Sequence, residues 1–238
     1  MPSGATTVLR NFWNSKFQIS LAILVLQIFA VFELLILMDL AGPKVSAINP
    51  TMLMVFDSVV SLLVSVLNAR FMYFFLSRRK FLAYVSLLIV GLVLSAFMGE
   101  LPLNGIYSGG FLMLIIVGLT LSYIPPMTAM MYILVDSLRS KDDKIYRLIG
   151  AANLFILFPI VFGGVLVSLE LVRPMVDGVS FINIVDAMYF YTKLSFYGAT
   201  GFEAPVQGMS ELLNNALTME SFFMDLFALL MLGRLVEK

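Results

Sequence analysis

The sequence predicts an all-α membrane protein with six transmembrane helices, and with a re-entrant pore helix and filter loop set between helices five and six. Three observations carry that expectation. The 238-residue chain is 61% hydrophobic and only 13% charged, against about a quarter charged in soluble domains. Its apolar residues gather into runs near 18–40, 51–73, 81–98, 110–136, 147–171 and 211–233. Each run is close to the roughly 20 residues that cross ~30 Å of hydrocarbon. Between the last two runs, the apolar segment from Ser180 to Ser195 is a helix too short to cross, and the glycine-bearing, extended stretch Phe196 to Pro205 follows it. Such backbone is tolerated at membrane depth only where it is buried in protein or lines water.

The elements follow in order. Residues 1–17 are polar and form an interfacial tail. The run at 18–40 is longer than the apolar part of a signal peptide, and no small-x-small cleavage site precedes Gly42-Pro43, so it is read as a helix. The second run carries Asp57 and ends in Asn68-Ala-Arg70. The basic turn Ser77-Arg-Arg-Lys80 links it to the third run as an antiparallel hairpin. Met98 to Gly110 is a turn-rich loop by its Gly, Pro and Asn content. The fourth run contains Tyr123-Ile-Pro-Pro-Met127, whose two missing amide donors predict a kink or break. Leu138 to Arg147 is a mixed-charge connector of helical character, with Arg139 and Asp143 one turn apart. The chain thus divides into a tail (1–17), a four-helix module (18–137), a connector (138–146) and a two-helix module (147–238).

Composition excludes many activities. The chain has no Cys and no His, which removes thiolate nucleophiles, imidazole bases, zinc sites and histidine-ligated haem. No Ser or Asp dyad suggests an intramembrane hydrolase, so neither enzymatic activity nor a cofactor is expected, and nothing points to nucleic acid. The fourth run lacks the regularly spaced Arg or Lys of a voltage sensor. Glu33 and Asp57, in the outer halves of runs one and two, therefore have no arginine helix to answer them; they face a wet crevice, are protonated, or bond to polar neighbours, with a ligand or proton site as the alternative. With the N-terminus in the cytoplasm, Arg10, Lys16, Arg70, Arg78, Arg79, Lys80, Arg139, Lys141, Lys144, Arg147, Arg234 and Lys238 lie inside, and only Lys44, Arg173 and Lys193 outside. A multi-pass protein of the cell (inner) membrane with both termini cytoplasmic is expected, and residues 170–210 then enter from the outer side.

The last run supplies a polar stripe. At ~100° per residue, Asn214, Thr218, Ser221 and Asp225 fall within about 60° of one another, with Glu220 nearly opposite. A carboxylate facing lipid near the bilayer middle is costly, so Asp225 requires water or a partner. A water-filled cavity meets that need, as does packing against another helix through small polar contacts. Glu220 is placed to accept hydrogen bonds from the short helix or the fifth span.

From about residue 147 onward the chain resembles the tetrameric potassium-channel superfamily. Asp186-Ala-Met-Tyr-Phe190 is similar to the start of that family's pore helix, and the interval from Tyr189-Phe190 to Pro205 is similar to the family's interval to the proline after the filter. Leu217 to Val236 resembles the inner helices of small bacterial members, with an acidic residue, an apolar stretch and a small-Arg-Leu-Val end. The resemblance implies a homotetramer in the lipid bilayer that passes monovalent cations, potassium or sodium, with no metal beyond the permeant ion. It places Tyr197, Gly198, Ala199, Thr200, Gly201, Phe202 and Glu203 at the filter, Thr218, Ser221 and Asp225 in an inner cavity, and Asp186 and Glu220 as supports of the pore helix. The filter departs from the family pattern Thr-x-Gly-Tyr-Gly-Asp. An ungapped register puts Gly201 on the second glycine and Ala199 on the first; a one-residue slip puts Gly201 on the first and Glu203 on a glycine position. Four copies of Glu203 would ring the outer mouth and attract cations. Lys193 in the pore helix pairs with Asp186 or Glu220, or lowers conductance. Met224 stands where related inner helices carry a glycine hinge, which moves gating to Gly233 or the connector. Rival readings are a non-conducting assembly or scaffold subunit and a small-solute transporter, the latter without a matching second half.

Overall fold

The computed structural model describes residues 11–41, 50–99, 101–102, 109–140, 143–177, 179, 181–200 and 208–236, with residues 34–41, 50–57, 99 and 234–236 described through their backbone alone. They form seven long helices: α1 (Lys16–Ala41), α2 (Pro50–Met72), α3 (Arg78–Gly99), α4 (Gly109–Arg139), α5 (Lys144–Val172), α6 (Ile184–Thr200) and α7 (Glu211–Val236). Five of them, α1, α3, α4, α5 and α7, are long and apolar enough to cross a membrane, the mark of a multi-pass membrane protein. In α2 the described apolar part is Ser58–Met72. Their outward faces carry large apolar side chains, among them Phe32, Phe97, Met113, Phe222 and Leu229, in continuous bands that a water-exposed surface does not sustain.

Two clusters of contacts define the ends of the bundle. At one end, Lys16 at the start of α1 reaches Asp136 near the end of α4 (2.9 Å), Tyr146 at the start of α5 donates to the other Asp136 oxygen (2.9 Å), and Arg70 near the end of α2 donates to Trp13 O (2.7 Å). At the other, Ile184 N of α6 donates to Leu101 O after α3 (3.1 Å), and Ser210 N before α7 donates to Met175 O after α5 (2.8 Å). Helices α1 to α5 thus alternate in direction, whereas α6 and α7 both start from the second end. The apolar core follows the same division. Ile19, Ile23, Phe71, Met130, Ile133 and Leu157 pack together toward the first end, and α6 lies in the core of the second with Ile115, Leu166, Phe181 and Leu213.

Two local expectations are sharpened. Of the kink or break expected in the fourth run, a break does not occur: Pro125 and Pro126 lie within a continuous α4. Tyr84 of α3 donates to Pro125 O (3.1 Å), and Gly91 lets α3 come close to the carbonyls of Leu121 and Ser122 that the prolines leave without amide donors, so that a Cβ at Gly91 would lie 3.6 Å from each oxygen. The helical character of the connector is interrupted: α4 stops at Arg139, and Asp143 caps α5 by accepting from Tyr146 N (2.9 Å). Asp143 is therefore the cap of the next helix and not an intrahelical partner of Arg139. Lys141 and Asp142 lie outside the described residues.

Tyr84→Phe removes the interhelical bond to Pro125 O, and is expected to destabilise the protein by about 0.5–1 kcal/mol. The thermal midpoint in detergent should fall, with Val93→Leu at an exposed position of α3 as a comparison.

Candidate functional site

The candidate site is built around α6. Its first turn is organised by its own side chains: Asn183 Oδ1 accepts from Asp186 N (3.0 Å), and Asp186 Oδ2 accepts from Ile182 N (3.3 Å), a reciprocal arrangement close to a capping box. The same turn is tied to the loop after α3 by the Pro102–Asn183 bridge. The segments leading into and out of the region pair with each other, since Asp177 N donates to Gly208 O (2.9 Å) and Val176 bridges Met209. Gly208 sits at φ +79, a conformation that other residues adopt only under strain.

Three contacts then fix the body of α6. Tyr191 donates to Glu170 Oε2 of α5 (2.6 Å), an oxygen that also accepts from Met175 N (2.7 Å). Gly163 of α5 meets Thr192 so closely that a Cβ there would lie 2.6 to 2.8 Å from its Oγ1, Cα and N. The next residue, Gly164, makes room for the Tyr123 ring, whose hydroxyl contacts Met188 Sδ (3.3 Å). On the other flank, Ser195 donates to Glu220 Oε1 of α7, and Gly198 packs against Leu217 and Glu220. Leu217 and Glu220 are the seventh and tenth residues of α7, which puts the carboxyl end of α6 beside them roughly 9–14 Å along that helix.

The sequence-predicted residues fall as follows. Asp186 and Glu220 are fully buried on α6 and α7. Tyr197, Gly198, Ala199 and Thr200 are the last turn of α6 and not an extended strand; Thr200 Oγ1 bonds back to Phe196 O (2.7 Å). Gly201, Phe202 and Glu203 lie outside the described residues. Asn214, Thr218 and Asp225 are exposed on the surface of the chain and Ser221 is half-buried; the Thr218 hydroxyl returns to Asn214 O (2.9 Å). The stripe therefore faces away from α6, and Glu220 faces toward it. Glu33 is half-buried, and the side chain of Asp57 lies outside the described residues.

Sequence reasoning missed Glu170, Tyr191, Ser195 and the Gly163-Gly164 pair as parts of the site. The glycine pair was the available signal, because adjacent small residues in an apolar run mark a close helix crossing.

Gly163→Val places a side chain against the Thr192 backbone and is expected to lower stability by about 1–3 kcal/mol. Gly109→Val, where nothing lies within 4 Å, should leave the thermal midpoint nearly unchanged. Comparison with family models, with curated proteins and with solved structures gave no match to this chain.

Proposed function

We propose that this chain is a potassium-channel-like cation channel subunit that forms a tetrameric pore and conducts passively. In this reading α6 is a re-entrant pore helix, α5 and α7 are the outer and inner helices, and α2 completes six spans with both termini in the cytoplasm. The observation that carries it is the two-faced use of α7. One face buries Glu220 against Ser195 near the carboxyl end of α6, while the other leaves Asn214, Thr218 and Asp225 exposed on the chain.

A carboxylate exposed in the middle of an apolar span is costly against lipid. Four copies related by rotation would enclose their stripes around shared water, and Asp225 would then raise the local concentration of cations. The α6 carboxyl end carries partial negative charge, so its direction favours a cation near that cavity. Residues 197–203 would form the constriction, with Glu203 at the mouth. A single observation favours the rival of a non-conducting assembly subunit: Tyr197 to Thr200 are helical, whereas a carbonyl-lined filter needs extended backbone.

Purified protein reconstituted in liposomes should carry cation current, with bi-ionic potassium and sodium reversal potentials giving the selectivity. Asp225→Asn should lower single-channel conductance at low salt and have less effect at high salt, where charges are screened. Absence of flux from a folded tetramer favours the assembly subunit.

A further inference from the structure

The end of the bundle opposite α6 carries a second feature that conduction does not use. Arg70 donates through Nε to Trp13 O (2.7 Å) and through a terminal nitrogen to Asn14 Oδ1 (3.1 Å), and its guanidinium lies 4.6 Å from the Phe74 ring and 5.3 Å from the Tyr73 ring. All four partners are neutral. Tyr73 continues the surface to Phe81 in the first turn of α3, with ring centroids 5.2 Å apart. Arg78, Arg79 and Lys80 on that same turn are exposed.

Along the chain these four cations have no neighbouring acid: there is no Asp or Glu before Glu33 and none between Asp57 and Glu100. Of the described acids at this end, Asp136 is occupied by Lys16 and Tyr146, and Asp143 caps α5 by accepting from Tyr146 N. The first turn of α3 contains no acidic residue either, so its basic side chains add to the positive end of the helix dipole. Four cations set among Trp13, Tyr73, Phe74 and Phe81, at the end of apolar helices, have the composition of a membrane-interface anchor.

We propose that Trp13, Arg70 and the α2–α3 turn through Lys80 form a binding surface for the phosphate headgroup of anionic phospholipid. The guanidinium is held in place by Trp13 O and Asn14 with donors to spare, which suits a phosphate oxygen. Arg78, Arg79 and Lys80 supply the surrounding field, and the aromatic rings sit at headgroup level. This inference needs only that the chain is a membrane protein and holds whether or not it conducts.

The chain's single tryptophan is part of the surface and reports on it. The full-length protein is reconstituted into phosphatidylcholine vesicles with the same minor fraction of either brominated phosphatidylglycerol or brominated phosphatidylcholine, and quenching of Trp13 is measured. The anionic lipid should quench more strongly, and the excess should shrink at high salt. The triple variant R78Q/R79Q/K80Q, which leaves the Trp13 contacts intact, should reduce the preference at least about fivefold, the factor for one charge near an anionic surface. Equal quenching by the two lipids in the unsubstituted protein overturns the proposal, as does a folded triple variant that keeps the full preference. A preference abolished by inorganic phosphate, but not by sodium chloride of equal ionic strength, reassigns the surface to free phosphate.

Discussion

The contact between α5 and α6 at Gly163 sets the position of everything around the candidate site. With no Cβ at that residue, the Thr192 backbone comes against α5, and the residues on either side of Thr192 then reach their partners. Tyr191 meets Glu170 on α5, and Ser195 meets Glu220 on α7. A side chain at residue 163 would push α6 outward and strain both bonds together. In a low-dielectric surrounding such bonds are strong when made and costly when broken, so a van der Waals clearance controls the polar contacts of the site.

The same arrangement divides α7 into two faces. Leu213, Leu217, Glu220 and Met224 are buried within the chain, while Thr218, Phe222, Asp225 and Leu229 are exposed. The exposed face joins apolar rings, suited to lipid or to another subunit, with a polar stripe that is costly against lipid. In the proposed tetramer, association around water would cover apolar surface at the subunit contacts and leave the carboxylate hydrated. At the far end of the bundle the order is reversed: aromatic and basic groups form a surface whose natural counterpart is an anionic headgroup layer.

The long helices were legible because each apolar run must supply the full width of a bilayer, and α1, α3, α4, α5 and α7 begin and end close to the runs that predicted them. The details that failed involve residues whose local preference is overruled by neighbours. Pro125 and Pro126 lack amide donors, yet α4 runs on through them, with Tyr84 donating to Pro125 O and Gly91 packed against the preceding turn. Gly198 reads in isolation as a helix breaker before an extended stretch, yet in the fold its small size admits Leu217 and Glu220, and the helix runs on to Thr200. Asp143 looks like one half of an intrahelical pair until it is seen capping α5. The polar stripe on α7 was readable from periodicity, and so was the turn of Glu220 toward the short helix, where it accepts from Ser195; the partners of Glu170 required knowing which helices touch.

The most direct test of the central claim uses the absence of native cysteine. Asp225→Cys is placed in the reconstituted protein and exposed to a membrane-impermeant thiol reagent, with Phe222→Cys as the comparison at an exposed apolar position. If four exposed stripes enclose water, the thiol at residue 225 reacts with the aqueous reagent and oxidation links neighbouring copies, while the thiol at residue 222 resists it. A residue-225 thiol that is inert to the aqueous reagent, labelled only by a lipid-soluble maleimide and never cross-linked between copies contradicts the account.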